Sequence, residues 1–161
     1  MRNLKTKVAL AVFAALASTY SFGQAAGTGT ITVSATVQGV CRFTSTPNMT
    51  FAAIDPSTTG DKTATSTIKW RCTKGLTGWT NFSVNSDNTS PYNGVLTGAL
   101  ATPDTMAYTI EWGAVPALSG AGFGGTAAEA SLVLTGTIAD TAYSVVKADT
   151  YSQSVPISIA P

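Results

Sequence analysis

Two carboxylate pairs and one pair of cysteines are the residues of this 161-residue chain whose types and spacing could do chemistry. Asp55 stands six residues before Asp61, and Asp140 nine before Asp149. Glycoside hydrolysis needs two carboxyls held across a cleft. These four sit in turn-like segments, Asp55 directly before Pro56 and Asp61 directly after Gly60, which reads as solvated turn chemistry. Asp55, Asp61 and nearby carbonyls could also hold calcium, and the turn reading is the stronger. The chain has no histidine. That removes Ser-His-Asp and Cys-His mechanisms and the commonest ligand of zinc and copper sites. No GxSxG elbow and no glycine-rich phosphate loop is present. We therefore expect no enzyme, no cofactor and no metal. Cys41 and Cys72 have no CxxC spacing and no histidine beside them. In an exported chain such a pair reads as one disulfide. Closing a loop of about 30 residues, it stabilises by about 3–4 kcal/mol if chain entropy dominates. Trp79 and Trp112 could stack on sugars with the 113–130 loop, although anchoring of loops is the plainer role.

The elements that must position these residues begin after an address. Arg2, Lys5 and Lys7 precede the apolar run Val8–Ala17, and small residues follow at Gly23 and Ala25. A run of about ten apolar residues is half of the about 20 a membrane span needs, so residues 1–25 read as a secretory signal cleaved before Ala26. Cleavage after Gly23 is the alternative. No later apolar run reaches membrane length. Residues 26–161 retain six cations (Arg42, Lys62, Lys69, Arg71, Lys74, Lys147) against eight acids, a net charge of −2. A chain with no basic excess offers nucleic acid no handle. We expect a secreted protein with no nucleic-acid partner and no membrane span once the leader is removed.

The remainder is strand and turn. Residues 29–37 alternate strictly, with Ile31, Val33, Ala35 and Val37 on one face and Thr and Ser on the other. Further strands are expected at 40–43, 49–54, 63–72, 82–84, 95–100, 107–112, 132–138 and 151–159. Gly136 marks a bulge or a close approach. Turns fall at Asp55-Pro56, Gly60-Asp61, Lys74-Gly75, 85–91, Asn93-Gly94 and Pro103-Asp104. Residues 113–130 form a long mobile Gly/Ala-rich loop. Trp70 belongs to the core beside the disulfide. This spacing matches an all-β antiparallel sandwich of immunoglobulin-like type, with its disulfide joining early neighbouring strands.

Several segments together carry a resemblance: 29–41 (GTITVSATVQGVC), Met49-Thr50-Phe51 with Ile54-Asp55-Pro56, Thr67–Gly75 (TIKWRCTKG), Tyr108–Gly113 (YTIEWG) and a last strand opening at Asp149-Thr150-Tyr151. In order and spacing the chain resembles the spore coat protein U domain family, the subunits of archaic chaperone–usher pili. The resemblance implies an incomplete immunoglobulin-like sandwich that lacks one strand. An exported chaperone fills the vacant groove, and the N-terminal strand of the next subunit then replaces it at an outer-membrane usher. The chain would pass through the periplasm to the cell surface, as a pilus built from copies of itself or related pilins. The polymer would serve attachment and biofilm formation.

The residues fit that mechanism. A strand filling a half-open core needs one face in and one face out. Residues 26–36 supply it as a donor-strand extension, with Gly27, Gly29, Ile31, Val33 and Ala35 on the inserted face. Burying Ile31 and Val33 is worth about 2 kcal/mol each. The body, 37–161, offers its last strand as acceptor edge through Tyr151, Val155, Ile157 and Ile159, with Pro156 an edge guard or a bulge. Two other readings stand beside this one. The N-terminal strand could fold back into its own groove, giving a self-complemented coat protein. Or Trp79, Trp112 and the 113–130 loop could make a carbohydrate-binding adhesin.

Overall fold

The computed structural model describes residues 27–78, 81–116, 119–124 and 128–160. The expected leader at 1–25, Ala26 and Trp79 lie outside the described residues. The chain divides into two units, 1–36 and 37–161.

In the first unit, residues 27–36 form no strand ladder, and Ile31 and Val33 are 88% and 89% exposed. Their sequence alternates as a strand should, but a single strand makes none of its hydrogen bonds internally.

The second unit is built of antiparallel strands: β1 (Cys41–Ser45), β2 (Lys62–Cys72), β3 (Asn81–Val84), β4 (Tyr92–Gly98), β5 (Thr105–Trp112), β6 (Ala130–Ile138), β7 (Tyr151–Ser152) and β8 (Ile157–Ala160). One four-residue helical turn, α1 (Asp140–Tyr143), follows β6. Among the described residues, six strands form one sheet in the order β1-β2-β6-β5-β4-β7, and β3 and β8 form the second. The fold is all-β, as the turn spacing implies. Along β2, Ser66, Ile68, Trp70 and Cys72 point inward while Thr63, Thr65, Thr67 and Lys69 face out, so one face of an alternating strand is buried. Trp70, Phe82, Ile68, Ile138 and Val84 are the largest fully buried side chains. Phe82 of the small sheet meets Trp112 of the large one edge to face, with centroids 5.4 Å apart, which ties the layers together.

Cys41 lies directly opposite Cys72 in the β1–β2 ladder and is bonded to it. The disulfide joins neighbouring strands, as expected.

Three local expectations are corrected. Asn93 and Gly94 belong to β4 instead of a turn, because Gly94 faces Tyr108 and a side chain there would occupy the space of that ring. The chain turns earlier, where Asn85 and Ser86 take positive φ of 51° and 66°, the pair a tight hairpin needs. The last strand divides at 153–156: β7 belongs to the large sheet and β8 to the small one. Pro156 lacks the N–H a ladder would use, and its carbonyl accepts the Asn85 amide at 2.7 Å. The 113–130 loop is tied down in its middle, since Gly120 exchanges hydrogen bonds of 2.8 Å with Gly75 and Leu76, and Gly122 donates to Cys72 at 3.0 Å. A Cβ on Gly120 would run into the Thr73 carbonyl, so glycine permits that close approach.

Candidate functional site

Residues 46–56 carry the Met49-x-Phe51 alternation, yet they form no ladder. They run as a strap over β6. The Ser66 hydroxyl donates to the Pro47 carbonyl at 2.7 Å and fixes one end of the strap. Gly136 fixes the middle: a Cβ there would collide with the Met49 sulfur and reach within 3.0 Å of the Phe51 ring. The β6 register continues unbroken past Gly136 on both sides, opposite Ala64 and Ile110. Gly136 is therefore a close-approach point and not a bulge.

Across from the strap runs the segment that leads from β7 into β8. Tyr108 holds it. The Tyr108 phenol donates to Gln153 Oε1 at 2.8 Å, and the same oxygen accepts the Val95 amide at 3.2 Å. Burial, and to a smaller degree the neighbouring Tyr92, push the Tyr108 phenol up to about 12. It therefore stays a donor at any ordinary pH. Tyr92 supports the ring edge to face, with centroids 6.3 Å apart.

Between strap and segment lies a groove of about 1290 Å³. Its floor is the hydrophobic core, with Ile68, Met106, Ile110 and Ile138 among its lining. Protein interiors are packed almost without voids larger than a water molecule. The floor side chains are themselves buried, Ile68 and Ile138 at 1% exposure.

Of the expected acceptor residues, Tyr151, Val155 and Ile157 line this groove, and each is half-buried. Ile159 is half-buried in β8 beside Phe82, its ladder partner in β3. Tyr151 also pairs with Gly98, and its hydroxyl donates to the Lys147 carbonyl at 2.8 Å. Gly27, Gly29, Ile31, Val33 and Ala35 are all exposed. Sequence reading missed Ser66, Tyr108 and Gln153 as residues that shape the groove, while it marked Gly136 as a bulge or a close approach. The Met49-x-Phe51 alternation was the available signal for the strap.

The carboxylates have backbone duties. Asp55 Oδ1 accepts the Ser57 amide and hydroxyl at 2.9 and 2.7 Å, which holds its carboxyl below the usual value. Asp61 accepts the Asp140 amide at 3.1 Å, and Asp149 accepts the Leu100 amide at 2.9 Å. The first closes a turn, and the other two tie distant segments together. Trp112, packed on Phe82, is spent on joining the layers. Trp79, its expected companion in a sugar surface, lies outside the described residues. No helix among the described residues is long and apolar enough to cross a membrane.

The family model of the Spore Coat Protein U domain matches residues 27–158. No curated protein and no solved structure matches the chain.

Proposed function

This chain belongs to the Spore Coat Protein U domain family, and from that premise we propose that it is a pilus subunit that polymerises by strand donation. The family is a structural, pilin-type one. The groove carries the reading: it is floored by core side chains and walled by the segments 46–56 and 153–156, which make no ladder along it. Such a groove takes an extended strand by main-chain pairing, with alternate side chains filling the core. Residues 26–36 have the required alternation. Ile31 and Val33 fill the deep positions, Gly27, Gly29 and Ala35 the shallow ones. The edge running from Tyr151 to Ile159 receives them. The chain is exported, held by a chaperone in the periplasm and delivered by an outer-membrane usher to the cell surface, where the pilus serves attachment and biofilm formation.

The test is a chain without residues 26–36, supplied with a synthetic 26–36 peptide. The peptide is expected to bind and to raise the melting temperature. An Ile31→Asp/Val33→Asp peptide is expected not to, since burying each aliphatic side chain is worth about 2 kcal/mol. A full-length chain that stays a heat- and detergent-resistant monomer without a partner would favour self-complementation and overturn the reading.

A further inference from the structure

The second unit carries its charges at opposite ends. β2 is 11 residues long and spans roughly 33 Å. At its Cys72 end lie Arg42, Lys69, Arg71 and Lys74. Arg42 stands directly opposite Arg71 in the β1–β2 ladder, although like charges in that relation repel. Glu129, 3.3 Å from Arg71, is the one acid among them. Arg42, Lys69 and Lys74 are exposed.

The Lys62 end is acidic. Asp61 sits there and accepts the Asp140 amide. Asp55 lies on the same turn, whose Thr58 accepts the Lys62 ammonium at 3.1 Å. The ladders carry this end across the sheet: Lys62 is opposite Ile138, and Gly98 is opposite Tyr151 and donates to the Asp104 carbonyl. Asp104 and Asp149 therefore belong to it too. Lys62 and Lys147 are its cations, and Lys147 is bridged to Asp104 at 3.3 Å. Four of the six cations of residues 26–161 thus occupy one end and five of the eight acids the other.

Chain direction gives this polarity a use. Residues 38–40 enter β1 at the basic end, where Val40 and Gln38 bond to Thr73. The root of residues 26–36 is fixed there by the covalent chain. The acceptor edge starts at the acidic end with Tyr151 and runs toward β1 with β8. A donor lying antiparallel to that edge emerges at the acidic end and brings its own body's basic end against it. A parallel donor would set basic end against basic end.

The geometry points to a charge-matched junction between copies of this chain, in which the basic end around Arg42 and Lys69 docks on the acidic end around Asp55 and Asp140 of the next subunit and selects an antiparallel donor. This rests on the strand-donation reading. Residues 26–40 contain no charged residue, so insertion of the strand and docking of the bodies can be separated.

The experiment follows assembly of the exported chain by light scattering, with the 26–36 peptide as a competitor. Electrostatic steering of this kind changes association rates by about 10-fold or more and fades with salt. Assembly is expected to slow about tenfold in high salt and in R42E/K69E. It is expected to recover in R42E/K69E/D55K/D140K, which restores opposite charges at the junction. Peptide competition is expected to ignore both salt and the basic-end reversals. Melting curves check that each variant is folded, and the salt series on the unaltered chain needs no variant. Assembly indifferent to salt and to charge reversal, with the peptide still competing, would overturn the junction alone. Failure of the peptide to bind or compete would remove the strand-donation reading, and the junction with it.

Discussion

The sandwich is finished along one side and left open along the other. On the finished side β1 pairs with β2 and β2 with β6, side chains interlock around Trp70, and the Cys41–Cys72 bond fastens the edge strand. On the open side the strap 46–56 and the segment 153–156 face each other across a groove without a ladder. The two sides use the same residue chemistry. Met49 and Phe51 alternate as Ile68 and Trp70 do. What differs is whether a neighbouring strand exists to take the hydrogen bonds. A β-strand is a property of a pair, and the strap shows alternation without a ladder.

The sharpest way to break this contrast is to unfasten the finished side. Cys41→Ser with Cys72→Ser is expected to cost about 3–4 kcal/mol, since the bond closes a loop with a sequence separation of 31. Urea denaturation of the chain filled by the 26–36 peptide reads this directly. A loss below about 1 kcal/mol would mean that the ladder alone secures the edge.

Next in size is a change on the open side. Gly136→Val places a side chain where Met49 and Phe51 lie across β6. Overpacking of this kind costs about 1–3 kcal/mol. The strap is expected to lift, and peptide affinity to fall with stability. Unchanged peptide affinity would show that the strap does not form a wall of the groove.

The finished side was legible in the sequence and the open side only partly. Alternation at 63–72 and 132–138 matches β2 and β6 closely because each is buried on one face by partners in the same chain. The cysteine pair was legible for the same reason. Alternation at 49–54 pointed to a strand, but no strand pairs with it among the described residues. Asn93-Gly94 read as a turn because local chemistry could not reveal that Tyr108, fourteen residues on, would cover Gly94. Gln153 was invisible: a lone glutamine gains meaning only when the fold brings the Tyr108 hydroxyl and the Val95 amide to one oxygen. The single strand expected at 151–159 divided because Pro156 falls where the chain passes from one sheet to the other.

A smaller effect tests that Gln153 anchor. Tyr108→Phe removes one hydrogen bond and leaves the ring over Gly94, so about 1 kcal/mol is expected. The pH dependence has a definite sign. The folded phenol sits at about 12 against an ordinary 10. The protonated form is the one that the fold favours. Its contribution is complete below pH 10 and is lost as pH rises through about 12. Denaturation midpoints measured across that window should fall more steeply in the unaltered chain than in Tyr108→Phe. Parallel profiles would assign the alkaline loss to other groups.

The smallest effect compares two exposed turns, one leading from the strap into β2 and one in the connection from β3 to β4. Asp55 and Asp87 are built alike: each carboxylate accepts an amide and a hydroxyl two residues on, from Ser57 and Thr89 respectively. In both, these hydrogen bonds lower the carboxyl, the side-chain bond most. A depressed carboxyl contributes stability above its ordinary value and loses it as pH falls through the lower folded one. Asp55→Asn and Asp87→Asn should each flatten the acid limb of the melting curve slightly, by similar amounts, because both groups are open to solvent. Filling the groove with the 26–36 peptide should leave Asp87 unaffected, since its turn contributes no residue to the groove lining. If donor binding also braces the strap, the Asp55 hydrogen bonds are held more fully and the acid sensitivity owed to Asp55 should grow in the filled chain while that owed to Asp87 stays. Equal responses with and without peptide would mean that the strap is already as rigid in the open groove as in the filled one.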